Sequence, residues 1–191
     1  MKKNLVIFYP SFERGGVEKI LVNLLSSNES KNYNLHLISN ICPVKNFKTK
    51  KNFFFYKISK PNNFNFIPQR FLTAFNAMFM LNRVLKKNKK NILVHSMQSN
   101  IAAIIICLFK KIKIVIRNSE NPIYSTIHAE NKIVAIITFI MKLLFYNFSN
   151  GIITNSRGSV KSLSFFVFNK KKIIAIYNPY LKKINLKKFN K

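Results

Sequence analysis

Apolar residues in this chain fall into short unbroken runs and into spaced stripes, and the two kinds alternate. Asn4–Tyr9 (NLVIFY) is a run closed by Pro10, the mark of a buried strand. After a polar loop, Val17, Ile20, Leu21, Leu24 and Leu25 recur at i, i+3, i+4, i+7 and i+8 within Gly16–Ser27. That spacing makes one apolar helix face, with Glu18, Lys19 and Asn23 opposite. Leu35–Ser39 reads as a strand, and after a Lys/Asn-rich stretch so does the aromatic Phe53–Ile58. Gln69–Lys87 has helical spacing of Phe71, Leu72, Phe75, Met78, Phe79, Leu81 and Leu85. Ile92–His95 predicts a strand, Ser99–Phe109 a helix buried nearly all round, and Lys113–Arg117 another strand. An irregular loop around Pro122 follows, then helix Lys132–Phe148, strand Gly151–Thr154 and helix Ser156–Phe166. Ile173–Tyr177 is the last strand, closed by Asn178-Pro179.

Strands that alternate with helices predict an α/β fold with a doubly wound, mostly parallel sheet. The strands are continuous apolar runs, not alternating ones, because such a sheet is covered on both faces. The whole chain has 191 residues, which suits one domain over residues 1–179. Residues 180–191 are basic and rich in Asn, and read as a linker that has lost what followed it.

Charge changes this picture less than its size suggests. Lys and Arg number 33 against 5 acidic residues, a net charge of +28. Only Arg14, Arg70, Arg83, Arg117 and Arg157 are arginines; the rest are lysines, amid many Asn, Ile and Phe. Arg is suited to forked recognition of phosphates and bases, whereas Lys is a solvated point charge. Specific nucleic-acid recognition is therefore not expected, while weak, non-specific attraction to anionic membrane or nucleic acid is. A basic amphipathic segment over Phe66–Lys90 is one route to it, although a core-facing helix with a solvated Lys-rich end accounts for the same residues.

The chain contains no Asp, and its acids are Glu13, Glu18, Glu29, Glu120 and Glu130. A Ser-His-Asp triad, an Asp-x-Asp metal site, a Walker-B Asp and an aspartyl nucleophile are excluded. Cys42 and Cys107 make no Cys-x-x-Cys pair, so no metal site is expected and a reducing compartment is. Leu5–Tyr9 is too short for a signal-peptide core, and Ile133–Phe148, interrupted by Lys142, is too short to span a bilayer. The expected location is cytoplasmic, or peripheral at the inner membrane face.

In a doubly wound sheet, ligands gather at the carboxyl ends of the strands. The scarce Arg and Glu residues concentrate there. Glu13, Arg14, Gly15, Gly16 and Glu18 follow the first strand, and a glycine turn into a helix lets backbone N–H groups approach an anion. The plainer account is a tight turn, and the spacing is neither a Gly-x-Gly-x-x-Gly fingerprint nor a P-loop. His95 and Ser96 end another strand, with His95 as a hydrogen-bonded strand-end residue or a base. Arg117, Asn118, Ser119, Glu120 and Asn121 form a polar loop; its plainer account is an Asx turn with Arg117 and Glu120 paired at the surface. Asn155, Ser156 and Ser159 suit a helix cap, which leaves Arg157 unexplained.

The order of these pieces resembles the N-terminal domain of retaining glycosyltransferases of family 4. The matching pieces are Glu-Arg-Gly-Gly-Val-Glu at 13–18, Val-His-Ser at 94–96, Ile-Arg-Asn-Ser-Glu-Asn-Pro at 116–122, Thr-Asn-Ser-Arg-Gly at 154–158 and Tyr-Asn-Pro at 177–179. The resemblance implies a GT-B fold of two Rossmann-like domains, of which this chain holds one. It implies that Gly15 and Gly16 face a nucleotide-sugar diphosphate and that Arg117, Asn118, Glu120 and Asn121 line the acceptor side, a cleft that Arg14, His95, Ser96 and Arg157 are expected to join from their places at the strand ends. Many members carry a His where Arg117 or Asn118 stands here, and Asn178-Pro179 matches the interdomain hinge. Implied partners are a nucleotide-sugar, a glycan or lipid-linked acceptor for cell-surface polysaccharide, and a separate C-terminal donor domain; no metal or other cofactor is implied. Without that domain, the chain alone is expected to be inactive. The rival expectation is a non-catalytic basic protein that binds membrane surfaces or nucleic acid.

Overall fold

A computed structural model of the chain describes residues 2–11, 16–42, 51–59, 69–88 and 91–178. Glu13, Arg14, Gly15, Pro179 and the 180–191 segment lie outside the described residues, as do Phe66, Ile67, Lys89 and Lys90 of the basic segment.

Among the described residues seven strands form one sheet: β1 (Lys3–Phe8), β2 (Tyr33–Ser39), β3 (Phe53–Lys57), β4 (Ile92–Ser96), β5 (Lys113–Asn118), β6 (Gly151–Thr154) and β7 (Ile173–Ala175). Their order is β3-β2-β1-β4-β5-β6-β7, and each neighbouring pair is parallel. The sheet is therefore parallel throughout. The described residues between the strands include six α-helices: α1 (Gly16–Ser26), α2 (Gln69–Lys87), α3 (Asn100–Lys110), α4 (Pro122–Ile127), α5 (Lys132–Phe145) and α6 (Arg157–Leu163).

The apolar run of β1 is continuous because both of its faces are covered. Val6 and Phe8 pack with Leu81 and Leu85 of α2 and Ile104 and Cys107 of α3, while Ile7 packs with Leu21 and Leu25 of α1. Ile7 pairs with His95 and Phe8 with Ser96, so the ends of β1 and β4 are level. Strand order runs outward in opposite directions from this pair, which makes it the topological switch point of the sheet.

Several expected features differ in the structure. The loop around Pro122 is helical: the Asn121 carboxamide accepts from the Ile123 and Tyr124 amides at 3.1 and 3.2 Å, and Pro122 sits in the first turn. Its six residues are too few to display a period. The helix expected to run to Phe148 ends at Phe145 and closes in a 3-10 turn over Tyr146–Phe148. Nor is α3 buried all round, since Leu108 and Phe109 at its end are exposed. In α2, Ala77, Leu81, Val84 and Leu85 are buried and Lys86 and Lys87 are solvated. That is the core-facing account of the basic segment, although Phe75 and Phe79 stay exposed.

Candidate functional site

The rim at the carboxyl ends of β1, β4 and β5 is built from tight backbone ties. Met97 N–H donates to the Phe8 carbonyl at 3.0 Å, and the Ser11 amide donates to Gln98 Oε1 at 2.8 Å, which joins the first two loops. Below them, Ser96 Oγ donates to Asn100 Oδ1 at 2.7 Å and Asn100 Nδ2 donates to the Arg117 carbonyl at 2.8 Å. The Tyr146 hydroxyl donates to Asn118 Oδ1 at 3.2 Å, and Asn118 Nδ2 donates to the Glu120 carbonyl. Ser96, Asn100, Tyr146 and Asn118 thus form a buried polar chain that fixes where β5 ends. Burial raises the Tyr146 phenol above its ordinary value, so it remains a hydrogen-bond donor at neutral pH.

Alternation along β5 puts Arg117 on the opposite face from this chain, the face on which α1 packs. Its residue is only 5 % exposed. Nη2 donates to Asn178 Oδ1 at 2.6 Å, while Nε is buried without a partner. A Cβ placed on Gly16 would lie 3.8 Å from Asn178 Nδ2, so the start of α1 adjoins the same carboxamide. Gly16, Asn178 and Arg117 therefore converge at the edge of the rim. The first turn of α1 contributes the partial positive charge of a helix N-terminus, and Arg117 contributes a full one. Among the described residues Arg117 has no carboxylate partner, because the ion pair found there is Glu120 with Lys142. Ser119 Oγ, two residues on, is also buried without a partner.

His95 shares that face through its register with Ile7 and Val115. Burial pushes its imidazole down to about 4; a backbone hydrogen bond with Val115 opposes this, and the Arg117 charge adds to it. At neutral pH it is an uncharged imidazole beside a cation. Burial also lowers Arg117, but a guanidinium stays charged.

The expected site residues thus separate. Arg117 lies with Gly16 and Asn178, and His95 shares its face of the sheet, whereas Ser96 and Asn118 hold the loops from beneath and Asn121 caps α4. Arg117 and Glu120 are not a surface pair: Arg117 is buried on Asn178, and Glu120 pairs with Lys142 of α5. Arg157 is exposed at the start of α6, and Ser156 caps that helix through the Ser159 amide at 3.1 Å. Sequence reasoning missed Asn100 and Tyr146, which read there as ordinary helix residues. Among the described residues no three of His, Cys and Glu come together to hold a metal ion. No helix among them is long and apolar enough to cross a membrane.

No curated protein matches the chain at a significant level. Solved structures share its fold at low identity. UGT2 of Phytolacca americana, complexed with UDP-2fluoro-glucose and pterostilbene, aligns with TM-score 0.66 and 12 % identity over 98 % of this chain and 56 % of its own. The lipopolysaccharide outer core galactosyltransferase WaaB aligns with TM-score 0.59 and 14 % identity over 96 % of this chain and 47 % of its own. UDP-GlcNAc 2-epimerase from Methanocaldococcus jannaschii aligns with TM-score 0.61 and 14 % identity over 93 % and 46 %. The chain spans about half the length of each. These likenesses show a Rossmann-like fold of the GT-B kind, and one further comparison is more specific. The sequence model of Glycosyltransferase Family 4 matches residues 14–180, and the chain belongs to that family.

Proposed function

We propose that the chain is the N-terminal, acceptor-side half of a retaining glycosyltransferase, which moves a sugar from a nucleotide-sugar to a glycan or lipid-linked acceptor in cell-surface polysaccharide synthesis. One observation carries the site assignment: among the described residues Arg117 is buried without a carboxylate partner, and its Asn178 partner adjoins the first turn of α1. In this reading Gly16 and Arg117 receive the diphosphate of the donor. Negative charge grows on that diphosphate as the sugar bond breaks, and a preorganised guanidinium and helix N-terminus stabilise it without a metal ion. Arg117 then serves the donor, although its sequence position matches the acceptor side of the family. His95, uncharged, lines the acceptor side with a ring nitrogen able to take a hydroxyl hydrogen bond. Asn178 begins the hinge to a second domain that supplies most of the donor site. The half-length alignments support this division, as does the position of Asn178 just beyond the last strand. The work takes place at the cytoplasmic face of a membrane, where a lipid-linked acceptor resides.

The test is a titration of the chain with UDP by calorimetry or NMR. Arg117→Gln removes a charge-assisted contact worth roughly 1.5–3 kcal/mol, so affinity should fall about tenfold or more. Unchanged UDP affinity in Arg117→Gln would remove Arg117 from the donor site. Robust sugar transfer by the chain alone would refute its role as half of an enzyme.

A further inference from the structure

The helix α5 carries apolar residues on two faces, and Phe139, Leu143 and Phe145 pack inward against the core. Its buried residue is Lys142, which reaches inward to Glu120 of the rim loop. A second apolar set points outward: Ile133, Ile136, Ile137, Ile140 and Leu144 are between 47 % and 72 % exposed. Ile133, Ile137, Ile140 and Leu144 fall at i, i+4, i+7 and i+11, a single stripe about 16 Å long at 1.5 Å per residue. Ile127 at the end of the preceding α4 is 58 % exposed as well. An exposed apolar stripe of this extent marks a surface that meets a partner.

We infer that the outer face of α4 and α5 is where the chain docks on an anionic lipid membrane. The inference builds on the peripheral location proposed above by naming the surface that makes contact. Charge selects the occupant. The chain carries +28, so two copies pressed together through this face repel each other, whereas a leaflet rich in acidic lipid attracts it. Exposed lysines flank these elements: Lys132 opens α5, and Lys110 and Lys111 end α3, which packs on α5. Apolar side chains entering the headgroup boundary with lysines reaching lipid phosphates is the arrangement of an interfacial helix. The docked face adjoins the site, because α4 starts at Pro122 directly after the short loop with Glu120 that follows Arg117 of β5. An acceptor anchored in lipid would meet the rim without leaving the membrane.

The experiment floats the full chain with phosphatidylcholine vesicles that contain or lack phosphatidylglycerol. No sugar is present, so its outcome is independent of the sugar-transfer reading. The wild type should float with the anionic vesicles only. The triple substitution Ile133→Gln, Ile137→Gln, Ile140→Gln should lose about tenfold or more of that binding with its circular dichroism unchanged. Because the chain has no Trp, Ile137→Trp adds a single reporter. Its emission should shift blue on anionic vesicles and be quenched by brominated lipid. Undiminished flotation of the triple variant, or a Trp that brominated lipid fails to quench, would overturn the proposal. So would a triple variant that alters the oligomeric mass and leaves vesicle binding intact, since the face would then join copies of the chain.

Discussion

His95 and Arg117 sit on adjacent strands and answer burial differently. Burial pushes the His95 imidazole down to about 4, whereas Arg117 keeps its charge and takes Asn178 as a partner. The His95 shift makes stability depend on pH. The folded value lies below the ordinary 6.5, so the unfolded chain binds the proton more readily. The contribution is complete above pH 6.5 and is lost as pH falls toward 4, by up to about 3 kcal/mol for a shift of this size. Burial lowers His36 as well, so the wild-type slope belongs to both. Urea unfolding of wild type and His95→Asn at pH 7.5 and 4.5 separates them, and the variant should lose most of the slope. An equal slope in both would mean that His95 is not held neutral by the fold. At this scale the sequence revealed Arg117 as a rare Arg at a strand end. Its partner Asn178 is 61 positions away and was legible only as part of a hinge motif.

Among the elements, legibility followed periodicity. The stripes of α1 and α2 and the apolar runs of β1 and β6 announce themselves, and the observed bounds agree to within a residue or two. α4 depends on a cap and a proline in six residues, which no period can display. The direction in which α5 faces was also hidden, because an apolar stripe ordinarily turns toward the core. Its inward face holds Phe139, Leu143 and Phe145 together with Lys142, whose side chain is 11 % exposed while that of its partner Glu120 is 51 % exposed. This asymmetry sets an order of stabilities. Glu120→Gln strands an ammonium in a site with little water and should cost about 1–3 kcal/mol. Lys142→Met leaves only a half-exposed carboxylate that water can solvate, so it should cost less. Thermal unfolding of the two variants checks the order, and the reverse order would mean that Lys142 is not held by Glu120.

For the whole molecule, the decisive quantity is the imbalance of 33 basic against 5 acidic residues. Among the described residues a single ion pair offsets it, Lys142 with Glu120. Folding gathers these charges into a smaller volume, and their mutual repulsion opposes the compact state. Salt shortens the reach of that repulsion, with a Debye length of about 10 Å at 0.1 M and about 3 Å at 1 M. The melting temperature should therefore rise with sodium chloride, by about 2–4 °C for each kcal/mol of repulsion removed in a domain of this size. Vesicle binding should weaken over the same range, because the same screening reduces attraction to acidic lipid. A protein held together by surface ion pairs would lose stability instead. A melting temperature that falls with added chloride would show that the lysines take part in attractive contacts. If it rises, the lysine excess acts as a long-range field on the fold and on membrane capture, and the local chemistry is left to Arg117 and the start of α1.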